Sequence, residues 1–163
     1  MPTDFLAVFT ALMQAQVRFV VAGGLAVVLH GHDRLTADID IAMDLTSESV
    51  QAAVSALTRI GYRPLAPVDA MELADAGRRT AWRRDRNMQV FSFWDANNTK
   101  PTIDIFIEPP IPFEDLWRDA APMLLGGVTV RVASVAHLIR MKQVAGRPQD
   151  LADIERLRSH RQE

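Results

Sequence analysis

Two aspartates, Asp38 and Asp40, alternate with two isoleucines, Ile39 and Ile41, in a stretch that reads as a strand. Residues i and i+2 of a strand share a face, so both carboxylates stand side by side while the isoleucines enter the core. Adjacent carboxylates repel, and each resists burial unless a cation neutralises it. Upstream, Phe19-Val20-Val21-Ala22 is an apolar run of buried-strand type that breaks at Gly23-Gly24. It re-enters an apolar segment, Leu25 to His30, too short for more than about two helical turns. A strand that ends in a glycine pair and opens a helix aims unpaired backbone N–H groups outward, which suits an anion. A divalent metal such as Mg2+, carrying the phosphates of a nucleotide, would join the anion cradle to the carboxylate pair.

A two-metal site needs a third carboxylate from another strand. In Thr102-Ile-Asp-Ile-Phe-Ile-Glu108, the isoleucines face one way and Asp104, Phe106 and Glu108 the other. If this strand pairs near the Asp38–Asp40 strand, Asp104 joins the cluster. Glu108 shares the facing but lies about 13 Å further along and reads as a surface residue. Just ahead of the diad, Arg34 offers a guanidinium to phosphate oxygens and Thr36 a hydroxyl; the alternative is a plain loop charge. His30 and His32 have no third ligand at metal-binding spacing and read as loop or helix-end residues. Taken singly, a glycine pair is a tight turn, an Asp-x-Asp a solvated pair and Asp104 an exposed strand residue. Their order along the chain carries the catalytic reading.

Gly23-Gly24, the spacer, then Asp38-Ile-Asp40 resembles the signature of the DNA polymerase β-like nucleotidyltransferase superfamily, and His30-Gly31 and Arg34-Leu-Thr36 are similar to fillers in its small bacterial branch. That branch holds AbiE-type toxins, minimal nucleotidyltransferases and some aminoglycoside nucleotidyltransferases. The run Lys142-Gln-Val-Ala-Gly-Arg-Pro-Gln-Asp150-Leu-Ala-Asp153-Ile resembles the same proteins. The resemblance implies a Mg2+-dependent transfer of a nucleoside monophosphate from an NTP to an acceptor hydroxyl. Asp38 and Asp40 would hold two Mg2+ ions, and Asp104 would bind one of them and help deprotonate the acceptor. Gly23 and Gly24 would cradle the phosphates, and Lys142 would reach the triphosphate. Asp150 and Asp153 are left as helix-start acids that hold Arg147, because carboxylates are favoured in a first turn. A toxin of a toxin–antitoxin pair is one version of this function. The alternative is a catalytically inactive nucleotidyltransferase-like module that binds RNA or a protein partner.

The elements needed to position these residues follow from periodicity. Helices are expected over Pro2 to Gln16, with Thr3 or Asp4 as cap, and from Thr46 or Ser47 to the stop at Gly61. Further helices are expected over Asp69 to Ala76, Phe113 to Ala120, Ser134 to Ala145 and Asp150 to His160, with Arg156 to Arg161 as a fraying end. Tyr62 to Pro67 reads as irregular. Strands are expected over Arg79 to Arg83, Met88 to Trp94, Thr102 to Glu108 and Val128 to Val132, with turns at Asn97-Asn98 and Gly126-Gly127. Helices bracketing a block of strands give an α/β (α+β) class, which by resemblance is a nucleotidyltransferase-like mixed β-sheet flanked by helices.

At 163 residues the chain is expected to form a single domain, residues 1–163, with a substantial core. A net charge of −2 does not suggest a general nucleic-acid binder. With no cysteine there is neither a disulfide nor a thiolate metal site, and no apolar run reaches the roughly 20 residues of a membrane span. A soluble, cytoplasmic protein without membrane contact is the resulting expectation. The dense basic run, Arg78, Arg79, Arg83, Arg84 and Arg86, is interrupted by Trp82. It is either a solvated face or the place where an RNA acceptor such as tRNA would lie, with Trp82 stacked on a base. A partner protein and an antibiotic are the other acceptors considered.

Overall fold

Phe19–Ala22 forms strand β1, and all four residues are buried. In the computed structural model, which describes residues 3–159, β1 lies near the middle of a sheet of seven strands. The others are β2 (Ile39–Met43), β3 (Tyr62–Pro64), β4 (Val90–Asp95), β5 (Ile103–Phe106), β6 (Ala121–Leu125) and β7 (Val128–Val132). Their order is β3-β4-β5-β2-β1-β7-β6. The sheet is mixed: β2 pairs with β5 and β1 with β7 in parallel, while the remaining neighbours are antiparallel. The expected α/β class with helices on a mixed sheet is what the chain adopts.

The alternation in β2 and β5 decides what faces the core. Ile39, Ile41, Ile103 and Ile105 are all buried, and truncating one to Ala would cost about 2–5 kcal/mol. The intervening Asp40 and Asp104 are directly paired across the two strands. Turn chemistry matches the sequence at both expected places. Asn98 takes a left-handed φ of 51° between β4 and β5, and Gly126 and Gly127 (φ 54° and 86°) close the β6–β7 hairpin.

The helices are α1 (Thr3–Gln14), α2 (Gly23–Leu29), α3 (Ser47–Arg59), α4 (Ala76–Arg86), α5 (Phe113–Asp119), α6 (Val135–Ala145) and α7 (Pro148–Ser159). Thr46 caps α3 by accepting from the Ser49 N–H, and Ser134 caps α6 through the His137 N–H. Gly146, left-handed at φ 65°, ends α6, and Pro148 opens α7. The α6–α7 pair lies against α2, which places it beside the glycine pair.

Four expectations are corrected. Arg79 to Arg83, expected as a strand, lies inside α4: Asp75 caps that helix through the Arg78 N–H, and Asn87 in the left-handed region closes it. Tyr62–Pro64, expected as irregular, is an edge strand held by Tyr62, whose buried ring sends its hydroxyl to the Pro101 carbonyl at 2.8 Å. The helix expected over Asp69 to Ala76 divides into a 3-10 turn, Ala70–Ala74, and the start of α4. Thr3 and Asp4, expected to cap the first helix, are both helical. Expectations at Pro2 and at 160–161 lie outside the described residues. Among the described residues no helix is long and apolar enough to cross a membrane.

Candidate active site

The register that pairs β2 with β5 sets Asp40 opposite Asp104, with Asp38 one residue ahead of β2. Asp104 also pairs with Ser92 of β4, whose hydroxyl donates to its carboxylate at 2.5 Å. The three acids interact without a counter-charge sufficient to balance them. Burial, then the charges of Asp104 and Asp38, push the Asp40 carboxyl up to about 7, despite the opposing pull of Lys142. Burial, then Asp104, likewise raises Asp38.

Gly23 and Gly24 face this wall. Gly23 adopts φ +63°, and a Cβ there would lie 2.0 Å from the Asp40 Oδ2. Only glycine lets the chain turn so tightly against the carboxylate. At Gly24 a Cβ would fall 1.5 Å from an Arg34 guanidinium nitrogen and 3.1 Å from the Thr36 hydroxyl. The glycine pair therefore lies with an acid on one side and a cation on the other.

The opposite wall belongs to α6, α7 and the loop before β2. Asp153, completely buried, accepts from Lys142 Nζ at 2.8 Å, Arg34 Nε at 2.9 Å and Arg156 at 2.9 Å. Asp150, also buried, accepts from the Arg147 guanidinium at 2.8 Å and from its backbone N–H at 3.1 Å. Burial alone would raise the Asp150 carboxyl, but these hydrogen bonds hold it below the ordinary carboxylate range. Lys142 is itself buried, with its ammonium 3.8 Å from Asp150.

All eight residues singled out for the site, Gly23, Gly24, Arg34, Thr36, Asp38, Asp40, Asp104 and Lys142, line one cavity of about 270 Å³. Arg147 and Gln149, which the sequence does not mark for the site, line it as well. Asp153, expected as a helix-start acid that holds Arg147, instead collects Lys142, Arg34 and Arg156. The signal was present in the spacing: Asp150 and Asp153 lie three apart on the face of α7 that buries Ile154 and Leu157.

No metal-ligating group of three or more His, Cys, Asp or Glu side chains is assembled among the described residues. The donor chemistry nonetheless fits Mg2+, which takes oxygen ligands and binds through one or two carboxylates together with waters and substrate phosphates. Asp40 and Asp104, side by side and mutually repelling, are such a pair.

The arginine run stands apart from this cavity. Arg79 donates to the Leu73 carbonyl at 2.7 Å, Arg83 pairs with Glu108, and Arg84 pairs with Asp85. Trp82 is buried against Phe91, with ring centroids 5.6 Å apart, so the stacking on a base considered for it has no exposed ring. His30 donates its Nε2–H to the Ala133 carbonyl, 2.9 Å away, and so braces the end of α2 against the end of β7.

Comparison with known proteins follows the same division. The family model for aminoglycoside-2''-adenylyltransferases matches residues 4–78, a span that includes the glycine pair and the Asp38–Asp40 diad. No curated protein matches the sequence. The fold is similar to lincosamide antibiotic adenylyltransferase LnuA, solved with lincomycin bound, at 16% identity and TM-score 0.64 over 98% of this chain and 97% of that one. It is also similar to ANT(2'')-Ia, solved with adenylyl-2''-tobramycin, at 14% identity and TM-score 0.62 over 97% and 87%. An antigenic nucleotidyltransferase-like protein from Paracoccidioides brasiliensis shares it at 15% identity and TM-score 0.56 over 94% and 74%. The chain thus carries the nucleotidyltransferase fold over nearly its whole length, and the family-model match falls on the same glycine pair and aspartate diad that carry the resemblance in the sequence.

Proposed function

We propose that this chain transfers AMP from ATP to a hydroxyl of a small-molecule acceptor. The observation that carries the reading is the cavity itself, where three carboxylates face three cations, Arg34, Lys142 and Arg147, across a glycine pair. A metal–triphosphate complex has that dual character, since its cations need carboxylates and its phosphates need guanidinium and ammonium groups.

In this reading Asp38 and Asp40, with Asp104, would hold two Mg2+ ions, which would supply neutralisation of charge on the phosphates. The Gly23 and Gly24 backbone, Arg34, Thr36 and Lys142 orient the β- and γ-phosphates. Asp104 takes the proton of the acceptor hydroxyl. The acceptor oxygen bonds to the α-phosphorus as the bond to the β-phosphate oxygen breaks, and pyrophosphate leaves on the cation side. Such catalysis consists mainly of positioning and charge stabilisation.

A small acceptor is favoured over RNA because the arginine run lies off the cavity and Arg79, Arg83 and Arg84 within it are engaged with their own neighbours. The structural neighbours solved with lincomycin and with adenylyl-tobramycin point the same way. The inactive-module alternative is less favoured, because both the acids and the cations are in place.

The test is incubation with α-labelled ATP, Mg2+ and either lincomycin or tobramycin, with separation of labelled products. Label in the antibiotic is the expected result. A wild-type protein that shows no Mg2+-dependent rise in melting temperature with ATP would sink the reading.

A further inference from the structure

The sheet is covered unevenly. All of β1 is buried, and in β2 only Asp40 escapes full burial. In β4 and β5 burial alternates: Phe91, Phe93, Ile103 and Ile105 are inside, while Ser92, Trp94, Asp104 and Phe106 are not. Alternation of this kind marks a sheet with one face on the core and the other towards solvent. That face is therefore only partly covered, with Ser92, Trp94 and Asp104 half-buried on it and Phe106 packed back against the core, and Asp104 lies at its border.

Register fixes what shares the face. Asp40, Asp104 and Ser92 form one row across β2, β5 and β4. Trp94 follows two residues after Ser92 on the same side of β4, opposite Arg63 of β3 and one step beyond the Phe93–Ile103 pair. It is thus a diagonal neighbour of Asp104, within reach of a large side chain. The Arg63 guanidinium turns to the Tyr62 and Thr58 carbonyls, at 2.8 and 3.3 Å. Asp104 lines the nucleotide cavity, whereas Ser92 and Trp94 do not.

The chemistry supplies a direction. In a phosphoryl displacement the attacking and leaving oxygens stand roughly in line, on opposite sides of the phosphorus. The cradle for the departing pyrophosphate, with Gly24, Arg34 and Lys142, lies on the β1 and α6–α7 side of the acids. The attacking hydroxyl must then arrive from the other side of Asp104, across β4. We infer that the acceptor is received on this partly covered face as a hydroxyl-bearing ring compound stacked on Trp94, with Ser92 and Thr102 beside it, an inference that rests on the nucleotidyl-transfer reading. An indole ring favours the apolar face of a ring, and the hydroxyls and carboxylate around it favour a polar perimeter.

Trp94→Ala, Trp94→Phe and wild type are compared with ATP, Mg2+ and either tobramycin or lincomycin. Trp94→Ala should raise the acceptor KM at least tenfold and leave the ATP KM within twofold; Trp94→Phe should stay near wild type. The chain has no cysteine, so an Arg63→Cys protein can be labelled at that single site with a bulky maleimide, and it should show the same acceptor defect. Unchanged acceptor KM in both variants, or an equal rise in the ATP KM, overturns the inference. If wild type binds ATP–Mg2+ but adenylylates neither probe, the chain is labelled with 5-fluorotryptophan and its fluorine spectrum followed. Shifts of the Trp94 resonance, assigned by its loss in Trp94→Phe, with either probe at millimolar concentration support the site. An unmoved resonance overturns it. Absence of any ATP–Mg2+ binding by wild type is a different failure, of the nucleotidyl-transfer reading itself.

Discussion

The two walls of the cavity are charged by opposite strategies. On the sheet side Asp38, Asp40 and Asp104 repel one another, and the Asp40 carboxyl is pushed up to about 7. On the helix side every cavity cation is paired with an acid: Arg34 and Lys142 share Asp153, and Arg147 has Asp150. The sheet wall is held in place by the isoleucines between its acids and carries excess charge; the helix wall is held in place by its charges. The same mutation type should therefore act oppositely on the two walls. On the sheet wall, removing an acid relieves repulsion and costs function. On the helix wall, it strands buried cations and costs the fold.

The largest effect expected is on transfer. Asp104→Asn should slow adenylyl transfer by a factor on the order of 10³ while leaving the melting temperature unchanged or raised. Full activity in that variant would remove Asp104 from the site and end the contrast on the sheet side. Next comes Asp153→Ala, which strands Lys142, Arg34 and Arg156 around a buried gap. It should lose about 3–5 kcal/mol in urea unfolding. A loss below about 1 kcal/mol, the range of exposed pairs, would mean that the helix wall is not held by its charges.

The smallest effect is on pH dependence. Asp40 has a folded-state carboxyl raised from 3.8 to about 7, so between those values the native state binds a proton that the unfolded chain has released. Stability on its account falls as pH rises through this window and levels off above it. The carboxylates held low, such as Glu114 and Asp150, act in the opposite direction but are already ionised above about pH 5. Without divalent metal, melting temperature should therefore decline from pH 5.5 to 7.5, and Asp40→Asn should flatten the decline. Added Mg2+ with ATP should stabilise more at pH 8 than at pH 6, since the acids must be ionised to bind it. A melting temperature that rises across the window in wild type and variant alike would show that Asp40 is not under strain from its neighbours.

The sheet wall was legible in the sequence because its information is local. Alternation in Asp38–Ile41 and Ile103–Ile107 fixes which side chains share a face, and a glycine pair after an apolar run marks the turn. The α/β class followed from the same periodicities. The helix wall was only half legible. Lys142 could be named from its motif, but an aspartate in a first turn looks the same whether it caps a helix or collects three cations from elsewhere in the chain. Arg34 and Asp153 meet only through the packing of α2 against α6 and α7. The strand expected at Arg79 to Arg83 failed for a related reason. Thr80 and Trp82 favour strands locally, whereas the Asp75 cap and the burial of Trp82 on Phe91 set the helix.

The parallel pairing of β2 with β5 and of β1 with β7 has a consequence for how the cavity comes into being. Parallel neighbours cannot be joined by a hairpin, so both contacts wait for long intervening segments to emerge and fold. On a ribosome, the glycine pair and the diad are exposed well before Asp104, and α7 follows later still. Until α7 docks, Lys142 and Arg34 lack Asp153 and the acids face open water. A nascent chain would therefore present the paired carboxylates before their cation wall is in place, and on the nucleotidyl-transfer proposal nucleotide affinity should arise abruptly, when α7 docks, rather than in proportion to chain length.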